Sequence, residues 1–282
     1  MKVIPFQVPK TSTEAFRIQI DRAERFYDKL HQHPETQIML IQKGAGTLIA
    51  GDYVGRFSAG DLFLIGSNQP HVFRSDEIKA QSNYRVQSVS LYFDEKYVGE
   101  NFWLLDELRT IRHFIMNAGV GYRLTGPTNL FLTKIIQGLV KAKGIERLLS
   151  FIQLLKSLSE SVDLKPLSDI NSRVRLGATE GKRMNDILQF TLAQSSRKVK
   201  IKEVADVANL SPEAFCRYFK VRTGKTYTNF LNEVRVSNAC KMLIEKEKSI
   251  QEICFETGFA NLSHFNRTFK KITGKTPTRY VT

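Results

Sequence analysis

Two arginines fifty residues apart, Arg217 and Arg267, sit in the same local setting, and that setting is where this chain can do chemistry. Phe215, Arg217, Phe219, Lys220, Thr223, Gly224, Lys225, Thr226 and Thr228 recur as Phe265, Arg267, Phe269, Lys270, Thr273, Gly274, Lys275, Thr276 and Thr278. A guanidinium donates two parallel hydrogen bonds to the major-groove edge of guanine, and a lysine ammonium neutralises a phosphate. Glu213 and Cys216 accompany Arg217 as groups able to meet base edges, and Ser263, His264 and Asn266 accompany Arg267. Lys220, Arg222, Lys225, Lys270, Lys271 and Lys275 are placed to meet phosphates. The competing account is a small helical bundle with solvated charges. Two copies that both keep an outward arginine favour the nucleic-acid reading.

A second set of groups lies near the amino terminus. His31 and His33 are two apart, so on a strand they share a face. His71 follows a turn at Asn68-Gln69-Pro70, and Gln37 and Met39 lie nearby. Three imidazoles plus a carboxylate would make a Zn or Fe site. Glu35 lies nearby but displaced, and Gln37 offers only an amide oxygen, which brings no charge. The expectation is therefore no metal and no cofactor, with His31, His33, Gln37, Met39 and His71 as candidates to line a small-molecule pocket. For each histidine taken alone, the competing account is a satisfied structural group.

The elements that must position the first set are legible. Ile201, Val204, Ala205 and Ala208 have the i, i+3, i+4, i+7 spacing of one apolar helix face. Asn209 and Leu210 turn the chain. Ser211 can cap the next helix, and Pro212 suits its first position. That helix turns Phe215 and Phe219 inward and stops at Gly224. In the second copy Ile250, Ile253 and Cys254 pack, Gly258 breaks and Asn261 caps. Phe265, Phe269 and Ile272 are expected inward, with Ser263, His264, Asn266, Arg267 and Lys270 outward. Two short helices at a steep angle, the second with an exposed basic face, match the geometry that enters a DNA major groove. Between the copies, Phe230, Leu231, Val234, Ala239, Met242 and Leu243 mark a helix from about Thr228 to Glu245. Its length of roughly 27 Å is close to the ~34 Å between successive major grooves on one face of DNA.

With its paired motifs and long linking helix, and with the ending Thr273-Gly274-Lys275-Thr276-Pro277-Thr278-Arg279-Tyr280, the chain resembles the AraC-type (AraC/XylS) bacterial transcription regulators. The resemblance covers roughly the last hundred residues. It implies a double helix-turn-helix domain that binds double-stranded DNA. His31-Gln32-His33, Gly44, Gly46, Gly60-Asp61 and Pro70-His71 resemble the cupin barrel that forms the sensing domain of many such regulators.

The rest of the chain fits that plan. Residues 1–93 read as short strands broken by Gly, Asn, Asp and Pro turns, with Gly51-Asp52 and Gly55 among the breaks, an antiparallel barrel or jelly roll. Residues 100–161 read as three helical segments. Leu130, Phe131, Ile135 and Leu139 form the stripe of the second. Ile145, Leu148, Leu149, Ile152, Leu155 and Leu158 form that of the third, which packs either on its own barrel or on a second subunit. The expected fold class is α+β multidomain, an N-terminal cupin-like antiparallel β-barrel with helices and a C-terminal all-α domain. The expected boundaries are 1–161 for sensing and dimerisation, 162–181 for a linker and 182–282 for DNA binding.

Charge agrees with this division. The 282 residues carry a net charge of +14, and residues 182–282 hold 19 Lys and Arg against 9 Asp and Glu, an excess of ten. Cys216, Cys240 and Cys254 have no metal-ligand spacing, which fits reduced thiols in a cytoplasm. Met1 to Lys10 lacks the apolar core of a secretion signal, and no run approaches the ~20 apolar residues of a membrane span. The function expected is a sequence-specific transcription regulator, not an enzyme, controlled by an unknown small-molecule effector and acting as a homodimer. RNA polymerase is a partner if it activates, and no membrane is involved. The alternative is a metal-dependent cupin enzyme with a helical accessory domain.

Overall fold

The computed structural model describes residues 14–76, 85–94, 97, 99–168 and 178–281. The chain divides into two compact units, one holding most of the residues before 177 and the other residues 177–282. The first opens with strands β1 Arg17–Ala23, β2 Thr36–Lys43, β3 Gly46–Ala50, β4 Tyr53–Phe57, β5 Leu62–Ile65, β6 His71–Ser75 and β7 Val86–Phe93. Helices α1 Glu100–Trp103 and α2 Arg109–Asn117, strand β8 Tyr122–Leu124, helices α3 Thr128–Leu139 and α4 Gly144–Ser159, and strand β9 Leu164–Pro166 follow.

The strands form a six-stranded sheet of order β1-β7-β2-β5-β8-β9 and a three-stranded sheet of order β4-β3-β6. Alternation along β2 explains how the layers meet, because successive side chains point to opposite faces. Ile38 and Leu40 face the helices, in one core with Leu64, Leu91, Trp103, Leu132, Ile136 and Phe151. Met39 and Ile41 face the smaller sheet, in a second core with Leu48, Phe57, Phe63 and Phe73.

Several local expectations change. Gly55 lies inside β4 rather than at a break. Residues 122–124, within the stretch expected to be helical, pair with β5 from Leu62↔Leu124 to Leu64↔Tyr122. Residues 164–166, within the expected linker, pair antiparallel with β8. Three-residue strands are too short to show a period, and Pro166 is tolerated because β9 is an edge strand. Residues 169–177 of that linker, with Arg173 and Arg175, lie outside the described residues, and residues 178–181, also expected as linker, begin a helix. In α3 the buried residues are Leu132, Ile136 and Leu139, while Leu130 and Phe131 are exposed. In α4 they are Phe151, Leu154, Leu155 and Leu158, and Ile145 and Leu149 are exposed.

The second unit is helical: α5 Ala178–Gln194, α6 Ile201–Val207, α7 Pro212–Thr223, α8 Tyr227–Glu245, α9 Ile250–Glu256, α10 Leu262–Thr273 and α11 Pro277–Val281. Its repeat is longer than the helix-turn-helix. Ile187 of α5 and Val236 of α8, forty-nine residues apart, are both buried, so α5-α6-α7 and α8-α9-α10 are two uses of one three-helix unit. Arg235 staples the uses together. Its Nε donates to the Ser195 carbonyl at 2.9 Å and its Nη2 to the Arg197 carbonyl at 2.7 Å, while the guanidinium lies over the Phe259 ring.

Candidate nucleic-acid interface and buried polar cluster

The two uses of the unit repeat down to single hydrogen bonds. The Ser211 hydroxyl accepts the Ala214 amide at 3.2 Å, and the Asn261 side-chain oxygen accepts the His264 amide at 2.8 Å. Each satisfies an amide of a helix first turn that has no partner inside the helix. Both second helices end on a left-handed glycine, Gly224 at φ 70° and Gly274 at φ 76°. The Thr223 hydroxyl donates to the Phe219 carbonyl at 2.8 Å, and that of Thr273 to the Phe269 carbonyl at 2.9 Å. In the preceding turns the left-handed residue is Asn209 in one copy and Gly258 in the other.

Inside, Phe215 and Phe219 pack on Tyr227, and Phe219 also meets Phe230 edge-on. Phe265 packs on Phe259 and Phe269 on Tyr280. These buried aromatics fix which side of each second helix faces out. Glu213, Cys216, Arg217 and Lys220 are exposed on α7; Ser263, Asn266, Arg267, Lys270 and Lys271 are exposed on α10, with Lys275 just beyond it. Among the described residues, no ion pair holds Arg217, Lys220, Arg267, Lys270, Lys271 or Lys275. The Glu213 carboxyl is held below the usual carboxylate range by its own backbone amide, the Ser211 hydroxyl and Arg217 one turn on.

Four expectations on this surface need correcting. Arg222 is in an ion pair with Glu180 of α5. Lys225 donates to both carboxylate oxygens of Glu233 at 2.9 Å. Each is half-buried by its partner, so neither is a free cation waiting for phosphate. His264 is half-buried with its ring against Phe259, centroids 5.6 Å apart, rather than fully outward. Ile272, expected inward, is 37% exposed, because Phe265 and Phe269 fill the core without it.

The second set of residues also comes together. His31, His33, Gln37, Met39 and His71 are all buried. His31 and His33 are not on a strand as expected. His31 forms an isolated bridge with His71, and His33 follows in an irregular segment. Even so, the three ring centroids are 4.2, 5.1 and 6.2 Å apart. Each Nδ1 faces a backbone carbonyl: Lys29 at 2.9 Å for His31, Glu35 at 2.9 Å for His33 and Gln69 at 2.8 Å for His71. A carbonyl only accepts, so each neutral ring carries its proton on Nδ1 and offers Nε2 as an acceptor. Burial lowers all three imidazoles, that of His31 to about 4, so the cluster is uncharged near neutral pH.

Gln37 Nε2 donates to Ser90 Oγ at 3.0 Å and to the Tyr92 hydroxyl at 3.1 Å. Tyr97 donates to Glu35 at 2.9 Å. Met39 belongs to the neighbouring aromatic core. Among the described residues, no three His, Cys, Asp or Glu side chains are arranged to hold a metal ion.

Sequence reasoning missed Ser90 and Tyr92, although period two along β7 puts Ser88, Ser90 and Tyr92 on the inner face and Val89, Leu91 and Phe93 on the outer. It also missed Gln69. This fully buried residue accepts the Gly66 amide at 3.0 Å, donates to the Val120 carbonyl at 3.0 Å and orients His71 through its own carbonyl.

Comparison with known proteins matches both units. A family described as an AraC-like ligand binding domain matches residues 15–122, and one described as a helix-turn-helix domain matches residues 204–282. The chain is similar to an uncharacterized HTH-type transcriptional regulator of Haemophilus influenzae, 23% identical over 254 residues, 86% of this chain and 84% of that one. It is 25% identical over 259 residues to the HTH-type transcriptional activator RhaR of Shigella dysenteriae, covering 89% of this chain and 86% of that one. Among solved structures it resembles ToxT from Vibrio cholerae O395, at 14% identity and a TM-score of 0.37, covering 95% of this chain and 97% of that one. No helix among the described residues is long and apolar enough to cross a membrane.

Proposed function

For a chain that belongs to the AraC family of DNA-binding transcription regulators, with an N-terminal ligand-binding domain ahead of its helix-turn-helix domain, we propose the following division of labour. The exposed faces of α7 and α10 read one operator in successive major grooves. Arg217 and Arg267 read bases, each worth roughly 1–3 kcal/mol against the wrong base. Glu213, Cys216, Ser263 and Asn266 flank them, and His264 contributes from the edge of its helix. Lys220, Lys270, Lys271 and Lys275 meet phosphates, which adds affinity without sequence information. Arg222 and Lys225, tied to Glu180 and Glu233, hold the scaffold. The observation that supports this most is the capped unit used twice, each time with an exposed outward arginine that is in no ion pair among the described residues. The 19-residue α8 spans about 28 Å between the copies.

The polar cluster of His31, His33, His71 and Gln37 is the effector pocket. It is neutral and acceptor-rich, so it suits a small molecule with hydrogen-bond donors. Effector binding shifts DNA affinity only as far as the effector prefers one arrangement of the protein. The protein acts in the cytoplasm as a homodimer without catalysis. The exposed Leu130, Phe131, Ile145 and Leu149 supply apolar surface for a second copy, and RNA polymerase joins as a partner where the bound position activates.

Fluorescence anisotropy with selection from random duplexes, at several salt concentrations, tests the reading. A selected duplex carrying two motifs about one helical turn apart, bound far above the pool, is expected. Weak binding, steep in salt and blind to sequence, would reduce the basic unit to an electrostatic tether.

A further inference from the structure

The two three-helix units differ at one corner. In the first, α5 and α7 close on each other: Glu180 pairs with Arg222, the Tyr218 hydroxyl donates to the Glu180 carbonyl at 3.4 Å, and Arg183 lies 5.5 Å over the Tyr218 ring. In the second, the matching positions are Asn229 for Glu180, Asn232 for Arg183, Thr268 for Tyr218 and Ile272 for Arg222. The ion pair, the phenol and the stacked guanidinium are all gone.

Those four shorter or uncharged residues border a cleft of about 390 Å³ between α8 and α10. Its other walls are Lys225, Glu233, His264, Arg267 and Lys271. Glu233 is already neutralised by Lys225, which meets both its oxygens at 2.9 Å. Arg267 and Lys271 are one turn apart on the α10 side, exposed and outside any ion pair among the described residues. The cleft is therefore an electropositive slot lined by two side-chain amides and bordered by the Arg267 reader.

We propose that this cleft seats one phosphodiester of the operator backbone, and that only the second unit has such a seat. Lys271 supplies the charge, Asn229 and Asn232 supply neutral donors, and Arg267 at the rim stays directed at the bases. In the first unit the Glu180–Arg222 pair occupies the equivalent space, so α7 grips its groove without that contact. The proposal rests on the DNA-reading function above. It adds an asymmetry that the matched sequence motifs do not show.

The test uses the full chain and a selected operator duplex in which single phosphates are replaced, one at a time, by uncharged methylphosphonate. One position in the α10 half-site is expected to weaken binding about tenfold, the loss typical of one charge-assisted contact. The same replacement should leave the affinity of Lys271→Gln unchanged, because that variant has already lost the contact. A triple variant Asn229→Glu, Thr268→Tyr, Ile272→Arg rebuilds the closed corner in the second unit. It should bind the ordinary duplex about tenfold more weakly and ignore the replacement.

Uniform tolerance of methylphosphonate across the α10 half-site overturns the proposal. So does additive loss when Lys271→Gln meets the sensitive duplex. Inorganic phosphate that competes with operator DNA no better than chloride at equal ionic strength is expected. Strong competition by inorganic phosphate would make the cleft a site for a free anion instead. If wild-type protein binds all duplexes alike, the DNA-reading function itself fails, an outcome distinct from any of these.

Discussion

The two units of this protein use polar groups in opposite ways. In the helical unit the functional groups are charged, exposed and set by local sequence: Arg217 is fixed by Phe215 and Phe219 on the same helix, and Arg267 by Phe265 and Phe269. In the sheet unit they are neutral, buried and gathered from distant segments, with His71 forty residues from His31 and Ser90 fifty-three from Gln37. A reading surface needs charge in water. A pocket needs hydrogen-bonding groups kept out of water, and burial then strips their charge. One design tolerates salt and pH differently from the other, and that difference can be measured.

The largest expected effect tests whether the aromatic pairs are what aim the arginines. Phe219→Ala and Phe269→Ala each remove a fully buried ring, at a loss of about 3–5 kcal/mol. Chemical denaturation followed by circular dichroism should show the helical unit unfolding early while the fluorescence of Trp103, the chain's single tryptophan and buried in the sheet unit, holds its native value. Loss of the Trp103 signal at the same denaturant concentration would show that the units are not energetically separate.

Acid should then separate the units in the other direction. Below the ordinary imidazole pKa near 6.5, unfolded histidines take up protons that buried His31, His33 and His71 refuse, His31 down to about 4. The unfolded state binds more protons in that window, so stability falls as pH falls. Each histidine contributes roughly 1.4 kcal/mol per pH unit until its folded pKa is reached. Urea midpoints read by Trp103 should drop between pH 6.5 and 4, and a His31→Asn, His71→Asn double variant should flatten that slope. A slope unchanged in the variant would remove these imidazoles as its cause.

Third in size is the loss at the reading face. Arg217→Ala should weaken the selected operator by roughly 1–3 kcal/mol and relax preference at one base pair, while melting stays within about 0.5 kcal/mol of wild type. Equal weakening on operator and random DNA would make Arg217 a phosphate contact.

This contrast also explains how far the sequence could be read. A helix-turn-helix keeps its cap, inward aromatics and stop glycine within about 25 residues. The pairs Ser211 and Gly224, and Asn261 and Gly274, were therefore visible as spacing. What needs tertiary contact was not. Glu180 lies forty-two residues from Arg222, so the ion pair that ties Arg222 down has no local signature. Nor does Arg235, whose two carbonyl partners lie just after α5, in the other three-helix copy. In the sheet unit the short strands and the turns between them were plain, but His31 and His33 are buried without lying on a strand. Their position depends on the backbone bridge to His71, at 2.9 and 3.1 Å, and on the loop that Gln69 holds. Strands β8 and β9 are three residues each, shorter than any period that could announce them.

The smallest prediction bears on the residues that spacing alone assigned alike. Lys220, Lys270, Arg222 and Lys225 look equivalent as basic positions near the ends of α7 and α10. The structure divides them: Lys220 and Lys270 are exposed, whereas Arg222 and Lys225 are half-buried and held by carboxylates. Each phosphate contact releases a condensed counterion, which steepens the salt dependence of log K by about 0.9. Lys270→Ala should therefore reduce the slope of log K against log salt by about that much, with little change in stability. Arg222→Ala should leave the slope alone. Instead it should lower stability slightly, by no more than about 1 kcal/mol, because a half-exposed ion pair contributes little. Isothermal binding at four or five salt concentrations decides between them. A slope that falls for Arg222→Ala and not for Lys270→Ala would mean that the pair with Glu180 opens on DNA, and that α7 regains there the cation it lends to α5.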